Sequence, residues 1–149
     1  MKNIIGIFGI LAVLFTACEN DDFCTEATTP RLVIGFYDVN NSDSYKEVPI
    51  YVWATEKDSL YSLAVVDSIL VPLDTRNNTA TYNLATTNIV DQFVFSYTTK
   101  DEFISESCGY VSTFNDFSID SHTGNWIERV EISTTIIDNE TATHVKVYH

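Results

Sequence analysis

Apolar and β-branched residues recur at every second position through most of this chain, and short polar clusters interrupt them. Leu32, Ile34 and Phe36 alternate with Val33, Gly35 and Tyr37, and Val48, Ile50, Val52 and Ala54 form a second set. Phe93, Phe95 and Tyr97 form a third, Val130, Ile132, Thr134 and Ile136 a fourth, and Val145 and Val147 close the chain. A period of two puts successive side chains on opposite faces of a pleated strand. Valine, isoleucine, threonine, tyrosine and phenylalanine fill these runs, as half-buried strands prefer. Turn-forming residues punctuate them at Asn40–Asp43, Glu56–Ser59, His122–Asn125 and Asp138–Glu140. Arg76-Asn77-Asn78 reads as the turn of a hairpin joining 68–75 to 79–85. No segment after residue 17 carries the period of an amphipathic helix. The pattern predicts an all-β, antiparallel β-sandwich, Ig-like or Greek-key-like, of about eight strands. They fall near 31–38, 48–55, 60–65, 68–75, 79–85, 91–99, 108–118 and 126–137, with a further short strand at 142–148.

The amino terminus follows a different logic. Lys2 precedes an apolar run from Ile4 to Phe15. That run is too short for the ~20 residues a membrane-crossing helix needs. It fits the apolar region of a secretory signal, with Thr16-Ala17 as the small-residue cleavage site. Cys18 at that junction resembles the lipidated cysteine of bacterial lipoproteins, with Phe15 standing where such signals usually have leucine. The expected organisation is therefore a signal peptide at 1–17, a lipidated cysteine and acidic tether at 18–30, and a sandwich domain at 31–149. Acyl chains on Cys18 would hold the protein at a membrane without the domain crossing it.

Assigning Cys18 to lipid leaves Cys24 and Cys108, and an exported compartment permits them to pair. Such a bridge closes a loop of about 84 residues, worth about 4 kcal/mol in the chain-entropy model. The formal net charge is −13. So acidic a surface disfavours nucleic acid and anionic headgroups and keeps an exported domain soluble.

Chemistry-bearing motifs are sparse. Asp38, Asn40 and Ser42 place oxygens as an EF-hand loop begins, but Asp43 stands where glycine is required and Pro49 where the bidentate glutamate belongs. The loop reads as an Asx-rich turn, with a non-EF Ca²⁺ site as the lesser alternative. His122, His144 and His149 have no metal-ligand spacing, and no Cys-x-x-Cys, nucleophile elbow or glycine-rich phosphate loop occurs. His144, in the last strand run, is expected to face solvent. No catalytic residues and no cofactor are expected, and a hydrolase is the weakest reading. If Val48, Ile50 and Val52 face the core, Tyr51 and Trp53 face outward together, a pairing suited to a protein or glycan platform. A covering loop or sheet is the competing explanation for such an aromatic row.

Several stretches together resemble a family of small Bacteroidota outer-membrane or surface lipoproteins of unknown function. They are Asp21-Asp22-Phe23-Cys24, Thr28 to Ile34, Phe36-Tyr37-Asp38 and Asp67 to Thr75. The resemblance covers most of the chain after Cys18 and implies an envelope address and a lipid-anchored domain. It transfers no active-site residues. Asn20-Asp21-Asp22-Phe23 is similar to the acidic signal, of the Ser-Asp-Asp-Phe kind, that sends such lipoproteins to the cell surface. Asp58-Ser59-Leu60 and Asp67-Ser68-Ile69 resemble the Asp-Ser/Thr-aliphatic pattern of O-glycosylation in the same bacteria, making Ser59 and Ser68 candidate modification sites. The expected protein is a non-enzymatic lipoprotein of the outer membrane, facing the cell surface. It engages an envelope protein or a glycan, or else acts as a purely structural envelope component.

Overall fold

A computed structural model describes Cys24 and residues 28–149. The expected signal peptide, Cys18 and most of the expected acidic tether lie outside the described residues. Ten strands make up the fold, and the described residues contain no helix. They are β1 (Leu32–Asp38), β2 (Asn41–Tyr45), β3 (Val48–Ala54), β4 (Ser59–Val66) and β5 (Ser68–Val71), then β6 (Thr79–Thr86), β7 (Ile89–Ser105), β8 (Gly109–His122), β9 (Arg129–Ile132) and β10 (Val145–Tyr148). One sheet runs β2-β1-β10-β9, with β5 also paired to β1; the other runs β4-β3-β6-β7-β8. The two pack as a β-sandwich dominated by antiparallel pairs. The exception is β1 with β10, which pair in parallel from Ile34↔Val145 to Tyr37↔Tyr148.

The alternation read from the sequence sets the core. Leu32, Ile34 and Phe36 of β1, Ile69 and Val71 of β5, and Val145 and Val147 of β10 are buried from one sheet. Val48, Ile50, Val52, Leu84, Phe93 and Phe95 meet them from the other. Phe93 and Phe95 stack at 5.6 Å, and Phe117 lies 5.4 Å from Phe95. β1 is buried on its second face as well. Gly35 there has no room for a side chain: a Cβ would come within 2.9 Å of the Tyr37 ring and 3.0 Å of Thr143.

Four expectations need correction. Residues 68–75 and 79–85 do not form a hairpin: β5 pairs with β1 in one sheet, and β6 pairs with β3 and β7 in the other. The connection between them crosses the sandwich. Two buried tyrosines hold it there: the Tyr82 hydroxyl donates to the Pro72 carbonyl, and the Tyr97 hydroxyl donates to the Asp74 carbonyl while accepting from its N–H. Burial pushes both phenols up to about 12. Asn41, Ser42 and Asp43, assigned to a turn at Asn40–Asp43, belong instead to strand β2. The turn shrinks to Val39-Asn40 because the Asp38 carboxylate accepts the Asn40 N–H at 2.8 Å and lets an all-polar edge strand pair. The long strand expected at 126–137 is only β9, with Ile137 bridging to Phe114 alone. Lastly, His144 does not face solvent; it is 2% exposed.

His144 sits immediately before β10, and its Nδ1 accepts the Val33 N–H at 2.9 Å while its own backbone N–H donates to the Val33 carbonyl. Nδ1 must therefore be unprotonated. Burial pushes the imidazole below its usual range, and the Asn139 carbonyl with Asp138 and Glu140 only partly opposes this. A depressed histidine pKa means that the unfolded chain takes up a proton before the native chain does. Stability is therefore expected to fall as the pH drops below about 6.5. His149, also pushed down by burial, acts in the same direction. Denaturation midpoints between neutral and mildly acidic pH should drop less steeply in His144→Gln than in the unsubstituted chain; an unchanged slope would remove His144 as the cause.

The crossover from β8 to β9 depends on one inward-facing carboxylate. Asp91 of β7 is fully buried and accepts four hydrogen bonds: from the Thr123 hydroxyl at 2.7 Å and from the N–H groups of Asn125, Trp126 and Ile127 at 2.7, 2.9 and 3.0 Å. The Trp126 indole N–H adds a bond to the Leu84 carbonyl. An otherwise irregular segment is thereby fixed across the end of the sandwich.

Candidate functional site

The outer faces of the two sheets differ in kind. On the β1–β10 sheet, long side chains lie flat over their neighbours. Arg129 stacks 3.6 Å above the Tyr148 ring, whose hydroxyl donates to Glu131 at 2.8 Å. Lys146 lies 5.2 Å over Tyr37, and Tyr45 stacks on Tyr37 at 4.5 Å. The charges on this face are largely satisfied among themselves.

The other sheet presents polar groups in rows. Val48, Ile50 and Val52 point into the core, so Tyr51 and Trp53 lie on the outer face, where both are half-buried. Trp53 is in register with Asn83 of β6, and Asn83 with Gln92 of β7. The Gln92 side-chain N–H donates to the Asn83 amide oxygen at 3.0 Å. Tyr51 pairs with Ala85, whose small side chain leaves the ring no tall neighbour in that direction. Further along the face, the Ser96 hydroxyl donates to Asp120 at 2.6 Å and lies 2.9 Å from the Ser118 hydroxyl. Aromatic rings, two amides, hydroxyls and a carboxylate thus share one sheet surface. Rings supply flat apolar area with a polar tip, and amides and carboxylates supply directional acceptors and donors.

Tyr51 and Trp53 were legible from alternation alone. Asn83, Gln92, Ser96 and Asp120 were not singled out, although each occupies a polar position in an alternating run. Only strand register places Asn83 and Gln92 in a row with Trp53, and Ser96 and Asp120 further along the same face.

The other candidate residues are dispersed. Cys24 and Cys108 form the expected disulfide. Asp38 is engaged in its turn, where the Asn40 backbone N–H holds its carboxyl below the usual range; Asn40, Ser42 and Asp43 are exposed around it. Among the described residues, no group of three or more histidine, cysteine, aspartate or glutamate side chains is placed to hold a metal ion. Ser59 is exposed at the start of β4. Ser68 is half-buried in β5, with its hydroxyl donating to Asp67. The histidines are far apart in role: His122 stacks on Phe93 at 5.5 Å, His144 binds Val33, and His149 packs against Phe36 and Trp126.

These features define a small disulfide-closed β-sandwich with one polar–aromatic sheet face. The chain belongs to the family of unknown function DUF6452, whose model matches residues 49–149. The match runs from β3 to β10 and includes the whole outer face just described. No curated protein and no solved structure matches the chain.

Proposed function

We propose that this protein is a lipid-anchored, non-enzymatic binding module of the bacterial outer membrane, displayed at the cell surface, and that the outer face of the β4-β3-β6-β7-β8 sheet engages a glycan. The observation that carries the reading is the row Trp53–Asn83–Gln92, a ring and two amides in register on three adjacent strands. A sugar ring has an apolar face and an equatorial rim of hydroxyls, and such a row offers a partner to each. The Cys18 junction and the preceding apolar run support the anchor, and the acidic residues that follow support surface display.

The test is a panel of purified envelope polysaccharides and oligosaccharides presented to the domain on an array. At least one class of glycan should be retained. Trp53→Ala should weaken that binding about tenfold, the loss of a central aromatic contact, with an unchanged circular dichroism spectrum. Retention of no glycan, or equal binding by the variant, would overturn the reading.

A further inference from the structure

The β7–β8 hairpin outruns the sandwich. The last pair between β6 and β7 is Thr79↔Ser96; beyond it, β7 pairs only with β8, as far as Ser105↔Gly109. Its far end carries uncovered apolar side chains. Phe103 and Tyr110 are cross-strand partners on one face, 54% and 70% exposed, with their rings edge to face at 5.3 Å. Ile104, 36% exposed, lies between them and the turn, at the irregularity that separates the Phe103 and Ser105 pairs. A monomeric domain does not ordinarily leave such a cluster in water without a use for it.

The same tip holds the tether. Cys108 lies in the hairpin turn and is bonded to Cys24, while Gly109 takes a left-handed φ of +71° that closes the turn beside it. A second tie follows, from the Ser112 N–H to the Thr29 hydroxyl at 3.0 Å. Cys18 is about six residues before Cys24, a covalent span of at most ~20 Å. An acyl anchor on Cys18 therefore cannot lie far from Phe103 and Tyr110, whatever path the intervening residues take.

We infer that the Phe103–Ile104–Tyr110 tip beds into the interfacial layer of the bilayer that holds the Cys18 anchor, giving the domain a second, non-covalent foot and a fixed orientation. This rests on the lipid-anchor reading proposed above. Tyrosine suits the site because its ring enters the apolar boundary while its hydroxyl stays among the headgroups. The charges narrow the lipid. Asp101, Glu102 and Glu106 flank the tip with Lys100 as the sole nearby cation in sequence, and Glu19, Asp21 and Asp22 lie in the tether. The surface is therefore a neutral, zwitterionic one, since anionic headgroups would repel these carboxylates. Val65, at the opposite end of its sheet where β4 pairs with Pro49, would be held away from the membrane.

The chain from Cys18 onward, bearing a lipid coupled to the Cys18 thiol, is placed on phosphatidylcholine vesicles containing chain-brominated lipid. In Tyr110→Trp, the emission in excess of the unsubstituted chain should shift to the blue and lose about half its intensity to the bromines. Phe103→Trp should behave alike, which covers the case in which one substitution disturbs the fold. Val65→Trp should be unquenched, and exchanging part of the phosphatidylcholine for phosphatidylglycerol should reduce the quenching in Tyr110→Trp. Excess emission indifferent to bromolipid in both Tyr110→Trp and Phe103→Trp, with native circular dichroism, would overturn the inference and leave the tip as a contact for a protein. Chemical coupling makes this result independent of the cell. Whether the cell acylates Cys18 is decided separately, by labelled palmitate incorporation into the full chain and its loss in Cys18→Ser.

Discussion

Asp91→Ala is expected to cost about 4 kcal/mol of folding stability, enough to leave a domain of this size largely unfolded. The substitution removes the acceptor for one hydroxyl and three backbone N–H groups at once, in a place where the carboxylate is fully buried. Each orphaned donor costs roughly 1–3 kcal/mol unless water reaches it, so partial relaxation still leaves a large loss. Asp91→Asn should cost about 2 kcal/mol, since an amide keeps one oxygen of the two and gains an N–H facing other donors. Urea denaturation of the two variants checks both figures; a loss below about 1 kcal/mol for Asp91→Ala would mean that the 123–127 segment does not need the carboxylate. The pH dependence has a definite sign. Burial pushes the Asp91 carboxyl up, but the Trp126 and Asn125 N–H groups, the Thr123 hydroxyl and the Ile127 N–H outweigh it and leave it below the usual range. The stabilisation is therefore present above the unfolded aspartate value of about 4 and is lost as the pH falls further through the native one. Acid unfolding should begin at higher pH in Asp91→Asn.

Opening the disulfide should have an effect of similar size by a different route. Cys24 and Cys108 are 84 residues apart, so the bridge removes about 4 kcal/mol of chain entropy from the unfolded state. Cys24→Ala, Cys108→Ala and the double variant should lose the same amount, because any of them opens the same loop. Denaturation with and without reductant measures it, and reductant should change nothing in the variants. A double variant clearly less stable than either single one would show that the cysteines contribute separately rather than as a bond. The bridge has a local consequence too. Residues 102–110 lie beyond the last pair of β7 with β6, past the core contacts of Tyr97, Phe114 and Phe117, so reduction should raise amide exchange there far more than in the core of β7.

Much of the architecture was legible because its causes are local. A period of two needs only the identities of neighbouring residues, and it located the core positions of β1, β3, β7 and β10 correctly. The errors share a cause. The 76–78 turn looked like a hairpin because asparagines favour tight turns, yet pairing to β1 and the hydroxyls of Tyr82 and Tyr97 carry the chain across to the other sheet. His144 looked exposed because its neighbours alternate, but it satisfies a buried N–H of a strand over a hundred residues earlier. β2 looked like a loop because its residues are polar, and an edge ladder with all its side chains in water tolerates them.

The candidate face divides along the same line. Tyr51 and Trp53 are two apart in one strand, so their shared side follows from the sequence. Asn83, Gln92, Ser96 and Asp120 join them only through the registers of β3, β6, β7 and β8, which no local pattern specifies. By itself the sequence determined most of the strands, though not β2 or the short extent of β9, and made Cys24 with Cys108 the expected pair, since these follow from side-chain alternation and cysteine count. The tertiary structure alone decided which strands meet, that β1 and β10 run parallel, that Asp91 organises the crossover, and that Cys24 is fastened to a hairpin with exposed aromatics at its tip. Each of those depends on contacts between residues far apart in the chain, where the free energy is set by burial and hydrogen bonding rather than by neighbours in sequence.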